Sequence, residues 1–383
     1  MKSSYRPAKA RVNLKSIQHN LSIAKARAGT ASALVVIKAE AYGHNAVTVA
    51  TALQNDADEF GVASLDDVIQ LRDAGIKQSI VCLSGFYHRD EIELFIEHNA
   101  TAVIYDQSQL EHLRAYSLSL KANDKINDKQ NNRHPIDEFK IWLKIDTGMG
   151  RLGLKVKDIE SLITELSQLT GVRLIGVLSH FSNSDEPLDE KNQQQQDLFF
   201  SMTVNLSSNY PELKFSLSNS AAIMSRPDCM LDMIRPGIML YGASPVNNQT
   251  AKDLDLRPAM TFESKLISIK DINKHATVGY GSTWKAPKQM QIGVVAVGYG
   301  DGYPRHAPTG TPVLVNGCRT QLLGRVSMDL ISIDLDQIDA KIGDTVTLWG
   351  DGLPVEEVAA SSGTISYELL CGVTQRVARV YEK

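Results

Sequence analysis

The sequence predicts an α/β protein: a (β/α)8 barrel followed by a mainly antiparallel β-domain. Two observations carry this expectation. Over the first 245 residues, short apolar runs alternate with amphipathic segments, giving eight strand–helix units in series. From about Pro245 that rhythm stops, and strand-like runs recur at short intervals with almost no helical periodicity. Eight such units imply a closed parallel barrel rather than an open sheet. The domains are therefore expected at 12–245 and 246–383.

Taken in order, the barrel strands are predicted at 33–37, 59–63, 80–83, 101–105, 141–145, 174–179, 215–218 and 233–241. The β-branched first run reads as a strand covered on both faces. The last contains Pro236, which disfavours a central ladder position. Helices are predicted over 64–74, 89–98, 108–115 and 156–169. Ser64 and Asp67 resemble a capping box, with Gly75 a C-terminal stop. The stretch 121–138, rich in Asn, Asp, Lys and Gln, reads as a solvated loop. The polar run 193–196 is placed on the exposed face of a helix ending near Asn205. In the second domain, strands are expected at 266–272, 291–297, 311–315, 321–323, 330–333 and 345–349. Asn316-Gly317 signals a two-residue hairpin, and 355–361 a short helix.

Composition narrows the function. At 383 residues and 43% hydrophobic the chain can build a proper core, and a net charge of −4 argues for neither a nucleic-acid nor a membrane partner. No window approaches the ~18 apolar residues of a transmembrane span, and the first nine residues lack a signal-peptide core. The four cysteines have no metal-like spacing; Cys82 and Cys371 sit among apolar neighbours and read as small buried hydrophobes. A reducing cytoplasm is the simplest home.

Chemistry-bearing residues fall at strand ends. Lys38 and Tyr42 follow strand one, the segment Asp146 to Gly153 with Arg151 follows strand five, His180 strand six, and Asn219-Ser220 strand seven; Arg235 lies in or beside strand eight. The C-terminal ends of barrel strands are where barrel enzymes place their catalytic groups. A partly desolvated lysine amine there suits a Schiff base to an aldehyde cofactor. Each residue alone has a plainer reading, such as a strand-end lysine in solvent or a rim arginine in a salt bridge; converging on one mouth, they favour a site.

Longer motifs sharpen this. The string Val36-Ile37-Lys38-Ala39-Glu40-Ala41-Tyr42-Gly43-His44 resembles the pyridoxal 5'-phosphate (PLP) lysine motif of the alanine racemase family. That family usually has Asn or Asp where this chain has Glu40. Gly61-Val62-Ala63-Ser64, Lys144 through Gly153, Ser179-His180-Phe181, Asn219 through Ala222, Arg235-Pro236-Gly237-Ile238 and Tyr241-Gly242 continue the likeness. Tyr280-Gly281, Gly298 through Gly302, Gly324 through Asp329 and Ile365 through Glu368 extend it to the C-terminus.

The resemblance implies a PLP barrel joined to a β-domain, with residues 1–11 packed on the latter, acting on alanine as a homodimer whose active sites are shared between subunits. The D-alanine made would serve peptidoglycan or alanine catabolism. It implies that Lys38 carries PLP and is one base, and that Tyr280 of the partner subunit is the other. A tyrosine, with an ordinary pKa near ~10, is a poor base without help; the resemblance supplies His180 as that help. Arg235 would face the pyridine nitrogen and, staying protonated, leave that nitrogen unprotonated. Arg151 would bind the ring hydroxyl and the substrate carboxylate, oriented by a Lys144 that is often carbamylated. Tyr42, Ser220, the backbone of Gly237 and Ile238, and Tyr367 would hold the phosphate. Met328 would offer its backbone N–H to the substrate across the dimer, and Tyr299 would narrow the entrance. Asp301 and Asp329 read as structural. No metal site is expected.

Three alternatives differ from this reading in particular residues. A PLP-dependent decarboxylase of basic amino acids needs an acidic partner for the ring nitrogen, against which Arg235 argues. A PLP-carrier barrel lacks the second domain. A racemase for serine or a larger amino acid differs too little to separate, since one methylene discriminates by only ~1–3 kcal/mol.

Overall fold

The computed structural model describes residues 5–127 and 138–382. The first ordered elements are β1 (Lys9–Asn13) and α1 (Leu14–Ala28), the latter capped by the Asn13 side chain. The barrel strands follow: β2 (Ser32–Val36), β3 (Glu59–Val62), β4 (Ser79–Cys82), β5 (Ala100–Ile104), β6 (Phe139–Lys144), β7 (Val172–Leu178), β8 (Lys214–Ser216) and β9 (Met233–Ile234). Between them run α2 (Lys38–Gly43), α3 (Ala46–Leu53), α4 (Leu65–Asp73), α5 (Glu91–Glu97), α6 (Gln107–Asn127), α7 (Ile159–Leu166), α8 (Glu190–Asn209) and α9 (Ser220–Ser225). The sheet order is β8-β7-β6-β5-β4-β3-β2-β9, all parallel. The ring closes between β8 and β9 through Asp232 N–H to Phe215 O (3.1 Å) and Arg235 N–H to Ser218 O (2.9 Å).

Strand alternation divides the core. Leu34, Val81, Val103, Trp142, Leu178 and Met233, drawn from six different barrel strands, form one closed cluster filling the barrel interior. Their sequence neighbours, such as Ala33, Val35, Ile80 and Ile104, join the larger cluster beneath the helices.

The second unit is built on β10 (Met260–Ile272), with a small ribbon of β11 (Thr277–Val278) and β12 (Trp284–Lys285) beside it. β13 (Met290–Val295), β14 (Pro312–Val315), β15 (Cys318–Leu323), β16 (Ile331–Asp334) and β17 (Thr345–Trp349) follow, then α10 (Val355–Ser361), α11 (Ser366–Gly372) and β18 (Ala378–Glu382). The order is β13-β16-β15-β14-β17-β10-β1-β18, and β10 also pairs back with β13, closing a ring. All pairings are antiparallel except β1 with β18. β1 therefore belongs to this sheet although it precedes the barrel. Buried Asp301 is flanked by Arg6 and Arg376, and both arginines also reach Asp329.

Four expectations are corrected. The last barrel strand is two residues long: after it, Pro236 ends the ladder and Ile238–Tyr241 winds as a 3-10 turn. Residues 121–127 continue α6 as helix instead of opening a loop, while 128–137 lie outside the described residues. The polar run 193–196 is not all exposed. Gln195 and Gln196 are buried, because hydrogen bonds satisfy them: Gln195 accepts from Ser182 (N–H and Oγ, both 2.9 Å) and donates to Thr147 Oγ1 (3.2 Å) and His180 O (3.1 Å). Finally, Cys371 is exposed rather than buried, unlike Cys82.

Candidate active site

Lys38 leaves β2 and enters a backbone that few sequences adopt. Ala39, Glu40, Ala41 and Tyr42 all have φ of 52–55° and ψ of 43–51°, a left-handed turn. For L-residues this costs about 1–2 kcal/mol each, so the surroundings must hold it. Asn45 N–H donates to Glu40 O (2.8 Å), and the Glu40 carboxylate accepts from Ala46 N–H (3.1 Å), Asn45 Nδ2 (3.2 Å) and Gln70 Nε2 (3.1 Å). His44 Nδ1 lies 2.9 Å from both Ala41 O and Tyr42 O, so it carries the hydrogen. The His44 ring packs on Tyr241, whose ring stacks on Tyr42 with centroids 4.7 Å apart.

The turn opens a cavity of ≈ 590 Å³ at the C-terminal mouth of the barrel. Lys38, Tyr42, Lys144, Arg151, His180, Ser220, Arg235, Gly237, Ile238 and Tyr367 all line it. The lining is strongly cationic. Arg235 is buried; it donates to Ser216 Oγ (2.5 Å), Ser179 O (2.5 Å) and Leu217 O (3.2 Å), and approaches His180 Nδ1 at 3.4 Å. Burial lowers its pKa to about 10, which leaves it charged at neutral pH.

Its neighbours adjust. Burial, then the Arg235 guanidinium, holds His180 well below the usual histidine range. Because a guanidinium only donates, His180 Nδ1 is the acceptor and Nε2 carries the hydrogen. Burial and then Arg151 push the Lys38 amine down, and burial with Arg151, Arg235 and Lys38 lowers Lys144 to about 8. Burial pushes the phenol of Tyr367 up to about 12 and raises that of Tyr42 as well, so both stay protonated hydrogen-bond donors.

One wall is shaped for close approach. Gly237 N–H donates to Ser220 Oγ (2.7 Å), and a Cβ on Gly237 would come within 2.7 Å of the Tyr42 hydroxyl. Any side chain there would fill the space between three polar groups.

Tyr280, Tyr299 and Met328 stand apart. They lie outside the cavity lining and are 68%, 39% and 52% exposed, on turns of the second unit. A single chain does not bring Tyr280 to Lys38. Conversely, the cavity includes residues that sequence reasoning passed over. Leu83 and Ser84 follow β4, and Cys371 sits one helical turn after Tyr367 on α11. That i, i+4 spacing was the available signal, but no helix was expected over 366–372.

A barrel mouth that gathers Lys38, Lys144, Arg151 and the buried Arg235, with the second unit bearing part of the pocket wall, defines a lysine-centred barrel enzyme. The alanine racemase N-terminal domain model matches residues 12–245 and the C-terminal domain model residues 259–381. The alanine racemase of Nitrosomonas eutropha is 42% identical over 378 residues, covering 98% of this chain and 99% of the relative. That of Coxiella burnetii (strain CbuG_Q212) is 43% identical over 377 residues, 97% of each chain. The crystal structure of the biosynthetic alanine racemase from Pseudomonas aeruginosa superposes with a TM-score of 0.90 at 40% identity, covering 99% of this chain and 100% of that one. This chain belongs to the alanine racemase family, and is an isomerase of amino acids.

Proposed function

We propose that the chain interconverts L- and D-alanine with PLP bound at Lys38, as a homodimer in which each site is completed by the partner subunit. The barrel domain is taken as 12–245 and the β-domain as 246–383, with β1 at the start of the chain lending its pairing to the latter. The observation that carries this reading is the cavity, where a lysine with a lowered pKa faces a cup of hydroxyls and backbone N–H groups.

The residues present fit PLP. The space beside Gly237, bounded by Tyr42 and Ser220, suits a phosphate, with Tyr367 as a further donor. Arg235 is a buried cation whose described hydrogen bonds reach no carboxylate, so an uncharged ring nitrogen can accept from it. When bound, PLP supplies an electron sink for the substrate's α-carbon. Arg235 weakens that sink by withholding a proton from the ring, which favours reprotonation over side reactions.

The chain's own groups then handle the substrate. Arg151 binds its carboxylate through the guanidinium fork, with the Met328 N–H of the partner subunit as second donor. Lys38, freed as a neutral amine, moves the α-proton on one face. Tyr280 of the partner subunit serves the other. His180 Nε2–H is a donor suited to stabilise a phenolate, backed by Arg235 on Nδ1. Tyr299 of the partner subunit narrows the entrance. Lys144, at about 8, has enough neutral amine to add carbon dioxide; the carbamate would give Arg151 an anionic partner.

The test incubates purified protein with PLP and a panel of L-amino acids and reads product chirality. D-alanine appearing fastest supports the reading; no product from alanine, or faster turnover of another amino acid, overturns it. Tyr280→Phe should stop inversion yet still exchange the α-hydrogen of D-alanine with solvent deuterium. Intact racemization in that variant would remove Tyr280 from the mechanism.

A further inference from the structure

Arg379 lies on β18, level with Ala10 of β1, and nothing in the proposed chemistry uses it. Its guanidinium donates to four backbone carbonyls: Nε to Gly43 O (3.2 Å), Nη1 to Thr374 O (2.6 Å) and Val377 O (3.0 Å), and Nη2 to Val373 O (2.6 Å). Three of these belong to the loop leaving α11. The fourth ends the left-handed turn that follows Lys38.

These two segments carry adjoining parts of the cavity wall. Tyr42 immediately precedes Gly43, and Tyr367 and Cys371 lie on α11. The walls touch, since the rings of Tyr42 and Tyr367 are 6.0 Å apart and a Cβ on Gly43 would overlap the Leu370 carbonyl. Arg379, outside the cavity lining, thus joins the two touching elements that carry Tyr42 and Tyr367. Its rigid fork can serve carbonyls in both at once, whereas a lysine ammonium is a single point of charge.

We propose that Arg379 is a positioning residue, tying the turn after Lys38 to the end of α11 and so fixing the spacing of Tyr42 and Tyr367 around the cofactor phosphate. This rests on the PLP reading above. Retention of the cofactor, rather than the proton transfers, is the property it governs.

The experiment titrates apo-protein with PLP by fluorescence, comparing wild type, Arg379→Lys, Arg379→Met and the remote control Arg114→Met. Both Arg379 variants should bind about tenfold or more weakly, the effect of losing one charge-assisted hydrogen bond. At saturating PLP their KM for alanine should match wild type, and Arg379→Lys should not rescue binding. Equal PLP affinity in either Arg379 variant, even with lowered Tm, would make the role merely structural and overturn the proposal. Hydrogen exchange on the wild type decides it if both variants misfold. PLP should then slow exchange over 373–379, although no residue there lines the cavity; unchanged exchange refutes the proposal. Failure of wild type to bind PLP would instead overturn the active-site reading itself.

Discussion

His44 shows how a single residue can be held in an uncomfortable state by its neighbours. It is fully buried with Nε2 unpartnered, its Nδ1 hydrogen is committed to two carbonyls, and Arg379 adds repulsion. Burial lowers its pKa from 6.5 to about 4. The folded state therefore resists the proton that the unfolded chain accepts. Stability from this residue is fully present above pH 6.5 and is lost as pH falls toward 4, by up to about 3 kcal/mol. Urea unfolding at pH 7 and pH 5 should show a steeper acid loss in wild type than in His44→Asn; identical slopes would refute this. Lys144 makes a second case. A ¹³C-bicarbonate NMR spectrum at pH 8 should contain a carbamate resonance that Lys144→Ala lacks, and acidification should erase it as the amine takes up its proton. Its absence from wild type would leave Arg151 without that anionic partner.

At the scale of elements, the polar helix α8 supports the site from outside the barrel. Gln195 joins the loop before Arg151, through Thr147, to the backbone of His180, and Thr147 meets Ser179, whose carbonyl accepts from Arg235. Gln195→Leu would strand several of these buried groups at a cost of about 2–4 kcal/mol. It should lower both the urea midpoint and turnover; unchanged midpoints would show that water replaces the amide. The left-handed turn depends similarly on Glu40. Its carboxylate accepts from the first N–H of α3, that of Ala46, and from the side chains of Asn45 and Gln70. Strand positions were legible because apolar alternation is a local property. The buried Gln195 and the helix carrying Cys371 were not, because each is decided by partners distant in sequence.

The whole molecule joins its two units by exchange of segments. β1 crosses to the second sheet before the barrel begins, and α11 returns a wall to the barrel's cavity. Tyr280, Tyr299 and Met328 remain exposed on the single chain, which accords with a partner covering them. Mixing inactive Lys38→Ala with Tyr280→Phe and allowing subunit exchange should restore about a quarter of wild-type activity. Half of the dimers are then mixed, and each has one intact site. No recovery despite verified exchange would place both residues in one protomer's site and overturn the shared arrangement.

The positions of the barrel strands, the barrel-to-β transition and the placement of Lys38, Arg151, His180 and Arg235 after strand ends followed from the sequence alone, because apolar periodicity and strand polarity are written residue by residue. The charge state of the pocket, the left-handed course after Lys38 and the convergence of Tyr42 with Tyr367 were settled only by tertiary structure. Desolvation, backbone hand and the distance between walls depend on which remote segments pack together, and no local pattern encodes that.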